Sequence, residues 1–284
     1  MRKSDLHLHS NFSDGSETPE ELLESIKAAN IVTFALTDHD TIAGCEKMKS
    51  LVPPEIKFVR GVELTCETKN FGCHVLGYLY NENDVGLSAL IEKGKKLRRV
   101  KLERRIEYLK EVWNIELTKD ELDWLYTRPS VVKTHFANIL VNRKLATDTV
   151  SAMKKYLDGC VVPKTKFSAE EAINILLSAD AIPVWAHPLG GEGEVHISKE
   201  TFKLRLETMK SLGIKGIECY YSRYTKEETV FLLEQANLNG LLISGGSDYH
   251  GKNKTVKIGA LSVDGLAVSE EQLTVISALK SANS

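Results

Sequence analysis

Residues 18–36 read TPEELLESIKAANIVTFAL, and this stretch holds a complete helix start followed by a strand. Thr18 can accept a hydrogen bond from a free N–H group of the first helical turn, Pro19 occupies a position that needs no N–H, and Glu21 can reach back to the cap. The pattern predicts a helix that ends near Asn30 and a strand in the apolar letters VTFAL that follow. Helices and strands in alternation are typical of an α/β fold with a mostly parallel sheet.

The same alternation returns in the second half of the chain. Ser168 and Glu171 repeat the capping box before a helix with one apolar side. Further units are predicted as a strand at 182–186, a helix near 199–212, a strand near 216–219, a helix at 225–239 and a strand at 241–244. This repetition of strand and helix is barrel-like.

Between these blocks, from about Asp84 to Gly159, the pattern is almost purely helical, which predicts an inserted helical subdomain. An apolar stripe at helical spacing is formed by Leu102, Ile106, Leu109 and Trp113. Nine of the eighteen residues from Lys93 to Lys110 are Lys or Arg. A solvated surface helix and a helix that faces phosphate or nucleic acid would share this pattern, so both interpretations stay open.

The composition is that of a globular protein. The chain has 284 residues with a net charge of −2, and 42% of its residues are hydrophobic and 27% are charged, which excludes collagen-like and disordered classes. Its five cysteines are scattered without a C-x-x-C pair. This spacing argues against a disulfide framework and against a cysteine-based zinc site.

The sequence also limits where the protein acts and what it binds. No stretch approaches the roughly 18 apolar residues of a membrane span, and the basic start is followed by Asp5 and His7 instead of an apolar signal core. We therefore expect a cytoplasmic protein without a membrane partner, and no stable protein partner is indicated. A near-neutral charge gives no general attraction to nucleic acid, so any phosphate binding must be local.

Most of the eight histidines follow a predicted strand. They stand in short motifs: His7 and His9 in DLHLH, His39 in DHD, His187 in AHP and His250 in DYH. Side chains two residues apart on a strand point the same way, so His7 and His9 can converge on one ion, and Asp248 and His250 can both project from one strand end into the same cleft. A single histidine near a strand is more often a satisfied polar residue than a ligand. The carboxyl ends of parallel barrel strands meet at one face, however, so the whole set predicts a metal site.

Other candidate ligands occupy equivalent places. Glu63 ends an apolar run, and its carboxylate can bridge two cations because each oxygen can serve one ion. Asp14 lies in the turn Ser13-Asp14-Gly15, where it is either a ligand or only a turn-forming residue. His74 opens the run HVLGY. Three further carboxylates are interpreted as residues that orient imidazoles or form turns: Asp5, Asp38 and Asp40.

In this combination the chain resembles the polymerase and histidinol phosphatase (PHP) superfamily of metal-dependent phosphoesterases. The motifs occur in the family's order as DLHxHS, SDG, TDHD, GVExT, HxLGY, AHP and SDxH, and they extend from Asp5 to His250. The resemblance implies an α/β fold that is a distorted seven-stranded (β/α) barrel. Residues 1–84 and 160–284 would form the barrel, and residues 85–159 would form the inserted small helical subdomain.

The resemblance also implies a site for two or three divalent metal ions. The first ion would be held by His7, His9, Glu63 and Asp248. The second would be held by Glu63, His74 and His187, and the third by Asp14, His39 and His250. Imidazole and carboxylate ligands suit zinc, manganese or iron and do not choose among them. Because some family members use a histidine where this chain has Asp14, the nucleotide-directed branch is favoured over a histidinol phosphatase.

A substrate-binding motif is matched only in part. Residues 128–135, RPSVVKTH, resemble an R-P-H motif whose arginine and histidine approach the substrate phosphate. If His135 aligns, its basic partner is Lys133; if Arg128 aligns, the histidine is displaced by an insertion. A lysine offers a point charge where arginine offers a bidentate fork. The predicted substrate-binding residues are therefore Arg128, Lys133 and His135, and the predicted catalytic residues are Glu63 and His135.

These patterns predict a hydrolase that uses metal-bound hydroxide on a phosphate monoester or terminal phosphodiester. Its substrate would be a small phosphorylated molecule, such as a 3′,5′-bisphosphonucleoside or a short oligonucleotide. Three alternatives stay open: a histidinol-phosphate-type phosphatase, a metal-dependent amidohydrolase, and a non-catalytic module that binds metal and nucleotide. An amidohydrolase usually bridges its ions with a modified lysine, whereas Glu63 fills that role here.

Overall fold

Strands and helices alternate along the chain in the computed structural model, which describes residues 3–162, 164–192 and 194–281. The strands are β1 (Lys3–Leu8), β2 (Ile31–Leu36), β3 (Lys57–Glu67), β4 (Gly72–Tyr78), β5 (Phe167–Ser168), β6 (Ile182–Trp185), β7 (Gly216–Tyr221) and β8 (Leu242–Gly246). The helices are α1 (Pro19–Ala28), α2 (Ala43–Lys49), α3 (Val85–Trp113), α4 (Lys119–Tyr126), α5 (Lys133–Asn142), α6 (Thr149–Ala152), α7 (Ala169–Ser178), α8 (Lys199–Ser211), α9 (Lys226–Leu238) and α10 (Thr274–Ser281). A π-helical turn, Met153–Leu157, continues α6.

Seven of these strands form a nearly closed barrel in the order β1-β2-β3-β4-β6-β7-β8, and the short β5 pairs with β3. The segment after β8 closes the ring against the end of β1. There the Asp248 N–H donates to the His7 carbonyl at 2.9 Å, and the His9 N–H donates to the Tyr249 carbonyl at 3.0 Å. The distorted seven-stranded barrel that the sequence predicts is confirmed.

One strand runs against the others. β4 is antiparallel to both β3 and β6, because a tight turn from Thr68 to Phe71 joins it directly to β3. The remaining pairings in the barrel are parallel. The beginning of β4 therefore lies at the rim where the parallel strands end, and His74 is placed at that rim although it stands early in its strand.

The capping signals act as predicted in α1 and only in part in α7. The Glu21 N–H donates to Thr18 Oγ1 at 3.2 Å, and Glu21 accepts from the Thr18 N–H at 2.8 Å. The Glu171 N–H likewise donates to Ser168 Oγ at 3.4 Å. The Glu171 carboxylate, however, binds the ammonium group of Lys93 on α3 instead of completing a box.

The long helix α3 takes part in two apolar cores. Its first turns contribute Leu87 and Leu90 to the barrel core. Its second half contributes Leu102 and Leu109 to a separate core formed with α4, α5 and the turn after α6. The division of the chain at residues 84/85 and 159/160 stays a prediction, since α3 packs on both sides of it.

Two further observations concern the cysteines and the helices. The five cysteines are free thiols, and burial raises the pKa of Cys45 to about 12. In the described part of the chain, we find no helix with the length and apolar character needed to cross a bilayer.

Candidate metal centre

His7 and His9 enter the centre from the end of β1, and both are completely buried. His7 Nε2 lies 3.2 Å from Glu63 Oε2 and 3.6 Å from Asp248 Oδ1. His9 Nε2 lies 3.2 Å and 3.3 Å from the same two carboxylate atoms. The alternating geometry of the strand therefore turns both imidazoles toward one pair of carboxylates.

Glu63 lies at the middle of the cluster, within β3 and not at its end. Its Oε2 atom is 3.1 Å from His39 Nδ1, and its Oε1 atom is 2.8 Å from His74 Nδ1 and 3.1 Å from His187 Nε2. β3 continues for four residues beyond Glu63 because β4 pairs with it through the hairpin. One carboxylate thus faces histidines from several strands, with a different oxygen toward each side.

A third group is centred on Asp14. Asp14 Oδ1 lies 3.0 Å from His250 Nε2 and 3.6 Å from His9 Nδ1, and Asp14 Oδ2 lies 3.7 Å from His39 Nε2. The rings of His9 and His250 stack with their centroids 4.0 Å apart.

Four groups of side chains in the described residues have the composition and spacing to hold an ion, with one donor atom per residue and all donors of a group within 4.8 Å of one another. The groups are His7, His9, Glu63 and Asp248; His9, Asp14, His39 and His250; His39, Glu63 and His74; and His74, His187 and Glu194. The structure thus brings the nine predicted ligands together and adds Glu194.

The electrostatics of the centre keep its carboxylates ionised. Burial alone would raise the pKa of Glu63, but the imidazoles of His39 and His7 hold it well below its usual value. Burial likewise acts on Asp248, whose pKa is nevertheless lowered by Lys254 and by the neighbouring histidines. Buried anions beside imidazoles form a donor set suited to divalent cations.

Several donor atoms of the centre have no hydrogen-bond partner. The unsatisfied buried atoms there are His7 Nε2, His9 Nε2, His39 Nδ1, His250 Nε2 and Glu63 Oε2. A buried polar atom without a partner costs free energy, so such atoms are rare unless a ligand satisfies them. Their concentration in one cluster fits metal coordination.

Glu218, which the sequence reading missed, holds two of the histidines. Its Oε1 atom lies 3.0 Å from His7 Nδ1, and its Oε2 atom accepts from the His187 N–H at 2.8 Å. Glu218 is completely buried within β7. A charged residue inside an otherwise apolar strand needs a buried partner, and this signal was available in the sequence.

Glu194 was also missed, since it stands in a loop without a motif. Its Oε2 atom lies 3.2 Å from His187 Nδ1. The predicted orienting residues Asp5, Asp38 and Asp40 accept hydrogen bonds from main-chain N–H groups, hydroxyl groups and the Arg98 guanidinium, and among the described residues none accepts from an imidazole ring. Asp38, for example, accepts from the Ser10 N–H at 2.8 Å and from Ser13 Oγ at 2.6 Å.

A cavity of about 240 Å³ opens above the centre. Its base contains predicted ligands, and its wall on the side of the helical region contains Thr134, Thr149, Val150 and Met153. Lys254 also lines the cavity, where its Nζ atom is 2.6 Å from Asp248 Oδ2. Asp248 and Asp14 raise the pKa of Lys254 although burial opposes them, so this ammonium group is charged.

The three predicted substrate-binding residues have different surroundings, although Arg128 and His135 both contact the Trp124 ring. His135 is buried at the start of α5, where its Nδ1 accepts from the Val132 N–H at 3.2 Å, and burial lowers its pKa to about 4. The Lys133 ammonium pairs with Asp158 at the surface. The Arg128 guanidinium donates to the Asn11 carbonyl at 2.9 Å. Their roles in substrate binding stay predictions.

Comparison with known proteins places this geometry in context. The family model described as the PHP domain matches residues 5–165. A 3′,5′-nucleoside bisphosphate phosphatase of Chromobacterium violaceum is 27% identical over 257 residues, which cover 88% of each chain. A 5′-3′ exoribonuclease of Haemophilus influenzae is 27% identical over 259 residues, which cover 88% of this chain and 90% of that protein.

A solved structure supports the same relationship. The structure of an amidohydrolase from Chromobacterium violaceum with bound sulfate has a TM-score of 0.82 and 25% identity, and the match covers 98% of this chain and 96% of that one. The expected enzyme class, a metal-dependent phosphoesterase, is confirmed by the family and by the named relatives. The family model matches more than half of this chain, so the chain belongs to the PHP domain family.

Proposed function

We propose that this protein hydrolyses a phosphate monoester or a terminal phosphodiester of a nucleotide or short oligonucleotide, with a 3′,5′-bisphosphonucleoside as a representative substrate. The observation that carries the proposal is the cluster of buried imidazoles and carboxylates with unsatisfied donor atoms at the base of an open cavity. The substrate class is favoured because two similar relatives are named as a 3′,5′-nucleoside bisphosphate phosphatase and a 5′-3′ exoribonuclease.

The cluster has enough donors for two or three divalent ions, zinc, manganese or iron. His7, His9, Glu63 and Asp248 would hold one ion, and Asp14, His39 and His250 another. A third would be held by Glu63, His74 and His187, since Glu63 Oε1 lies 2.8 Å from His74 Nδ1 and 3.1 Å from His187 Nε2. By the spacing of donor atoms, His74 and His187 form a group with Glu194, and His74 forms another with His39 and Glu63. Such ions neutralise phosphoryl oxygens and lower the pKa of a bound water toward neutrality.

The chain's own residues would bind and orient the substrate. Lys254 offers a charged ammonium group inside the cavity. His135 is neutral near pH 7, because its pKa is about 4. Since His135 Nδ1 accepts a main-chain N–H, the proton of the neutral ring is on Nε2. A neutral ring is not suited to act as a general acid. Donation from its Nε2–H to a phosphate oxygen stays a prediction, because the ring is buried against Trp124, does not line the cavity and has a hydrogen bond with the main chain of Ser13.

The test is a substrate panel with metal-reconstituted protein, with Mn²⁺ and Zn²⁺ in parallel. The panel contains a 3′,5′-bisphosphonucleoside, a short 5′-phosphorylated oligonucleotide, histidinol phosphate and an aryl phosphate. We expect preferential turnover of the two nucleotide substrates. Preferential turnover of histidinol phosphate would contradict the proposed substrate class.

An amidohydrolase is the competing function, because the similar solved structure carries that name. The position of Glu63 between histidines of several strands favours the phosphoesterase. The panel should therefore include N-acyl amino acids and a cyclic amide. Hydrolysis of an amide without phosphate release from any ester, in protein shown to hold its metals, would overturn the proposal.

A further inference from the structure

A second cavity, of about 380 Å³, lies between α3 and the segment from the end of α4 to Val131. We call it the basic groove. It is lined by Lys95, Lys96, Arg98, Arg99, Leu102, Leu125, Tyr126, Arg128, Pro129 and Val131. Half of these residues are Lys or Arg and none is acidic. On a chain with a net charge of −2, this concentration of positive charge is local.

The groove combines these cations with exposed aromatic rings. Tyr126 lines the groove and is 39% exposed, and Trp124, which lies beside the groove against Arg128, is 37% exposed. The Arg99 guanidinium lies 3.7 Å from the centroid of the Tyr126 ring, and the Arg128 guanidinium lies 4.4 Å from that of Trp124. Cations beside exposed aromatic rings are the features that bind single-stranded nucleic acid, since phosphates contact the cations and bases stack on the rings.

Within the described part of the chain, two of the five cations of the groove, Lys96 and Arg128, have no carboxylate partner. The other three, Lys95, Arg98 and Arg99, pair with Glu92, Asp40 and Glu103. Arg128 contacts a main-chain carbonyl and not a carboxylate, and Arg99 pairs only with the exposed Glu103. Exposed ion pairs contribute little to stability, so the cation of such a pair can leave its carboxylate and bind a phosphate instead. Outside the groove, Arg104 pairs with two glutamates at once.

The groove adjoins the loops that carry the metal-centre residues. Arg128 holds the carbonyl of Asn11, in the loop that also contains Asp14. Arg98 binds the carboxylate of Asp40, the residue after His39. A strand whose terminal nucleotide occupies the central cavity would therefore meet the groove close by.

We propose that the basic groove binds the single-stranded polynucleotide that continues from the nucleotide held at the metal centre, with its phosphodiesters on Lys96, Arg99 and Arg128 and a base on Tyr126. This inference rests on the proposed function, and it makes oligonucleotides better substrates than mononucleotides. The groove adds affinity for the strand and leaves the chemistry at the centre unchanged.

The test measures binding separately from hydrolysis. Fluorescence anisotropy in EDTA follows a labelled, 5′-phosphorylated single strand of about eight nucleotides. In the Lys96→Gln/Arg99→Gln variant we expect affinity to fall about tenfold or more and the slope of log K against log salt to decrease by about 1.4, since each lost phosphate contact contributes about 0.7. The matched control is Arg104→Gln/Lys110→Gln, which removes two exposed cations from α3 outside the groove.

A second pair of variants tests stacking. Tyr126→Ala should weaken strand binding about tenfold relative to wild type, whereas Tyr126→Phe, which keeps an aromatic ring, should bind the strand as tightly as wild type. Turnover of the bisphosphonucleoside should stay within about twofold of wild type in all these variants, because that substrate has no strand to place in the groove. Three results would overturn the proposal. They are an equal loss of strand affinity in the groove and control variants, equal weakening of strand binding by Tyr126→Phe and Tyr126→Ala, and binding of a blunt duplex as tight as that of the single strand. Because anisotropy does not need turnover, failure of the groove and failure of the proposed function give different results.

Discussion

Glu218 shows how a single buried residue supports the centre. Its carboxylate contacts His7 through the ring Nδ1 atom and His187 through the main-chain N–H. A carboxylate that accepts from Nδ1 leaves Nε2 free of a proton and directed toward a metal. His7 Nε2 is one of the buried atoms without a hydrogen-bond partner. Glu218 therefore acts as a positioning residue for ligands on two different strands.

Replacing Glu218 by Gln should lower metal affinity about 10–100-fold, because the amide keeps the volume of the side chain and removes the charge that fixes the His7 ring. The measurement is a metal titration against a competing chelator, with circular dichroism to show that the variant folds. Glu227→Gln, an exposed change on α9, is the control. Metal affinity equal to wild type would show that Glu218 does not position the ligands.

The sequence predicted the metal ligands better than it predicted the residues that position them. Local motifs marked all nine predicted ligands, because most of these ligands stand at strand ends beside turns; Glu63 is the exception, since it lies within β3. Glu218 lies within β7, where a charged residue in an apolar strand indicates a buried partner, but its partners His7 and His187 meet it only after the chain folds, so the sequence does not identify them. For the same reason the pairing of Lys133 with Asp158 could not be foreseen.

At the scale of elements, α3 joins the barrel to the helical region, and it buries a cation where the two meet. Lys101 is 8% exposed and forms no ion pair with the residues that the structure describes. Burial lowers its pKa to about 7, and the nearby Arg98 adds to this effect. The folded state thus disfavours the charged ammonium group.

Lys101→Met should be more stable than wild type at pH 7 and below, and the difference should shrink toward pH 10. The folded pKa of about 7 lies below the ordinary value of 10.5, so the unfolded chain binds more protons between these values. As the pH rises through this interval, the free energy of unfolding of the wild-type protein therefore increases by up to about 1.4 kcal/mol per pH unit. Urea unfolding at several pH values measures the effect.

The matched control for this prediction is Lys96→Met, an exposed change on the same helix. A constant stability difference between wild type and Lys101→Met from pH 7 to pH 10 would contradict the assignment of a buried ammonium group.

Element boundaries were predictable to within a few residues, but strand direction was not. The helix start at Thr18 and the strand before Thr37 depend on local capping and apolar runs. The antiparallel direction of β4 depends on the hairpin at Thr68, and sequence periodicity is the same for either direction. The basic character of α3 was visible in the sequence, whereas the packed structure was needed to show which of its cations line the groove and which of them pair with carboxylates.

For the whole molecule, closure of the barrel between β8 and β1 positions the first ligands. Gly246, at the end of β8, lies against His7 so closely that a Cβ atom there would be 2.2 Å from the His7 Cβ and 2.5 Å from its main-chain nitrogen. The absence of a side chain at Gly246 allows the two strands to approach. The metal centre therefore depends on the same contact that closes the barrel.

Gly246→Ala should lower the free energy of unfolding by about 1–3 kcal/mol, because the added methyl group overpacks a backbone contact. It should also weaken metal binding, since His7 must move. Thermal unfolding and metal titration measure the two effects. Gly86→Ala, near the start of α3, is the control, where the nearest atom is the carboxylate oxygen of Asp84 at 3.1 Å. A Gly246→Ala protein with wild-type stability and metal affinity would contradict this account of closure.

The most direct test of the whole account is a metal titration in which bound metal and phosphate release from a 3′,5′-bisphosphonucleoside are measured on the same samples. We predict that metal-free protein is inactive, that activity appears as two or three ions bind, and that Glu63→Gln lowers activity at least about 100-fold and binds fewer ions while it stays folded. Glu67→Gln, an exposed change on the same strand, should behave as wild type. Phosphate release by metal-free protein, or full activity in Glu63→Gln, would contradict the central claim that this cluster is a metal centre for phosphoester hydrolysis.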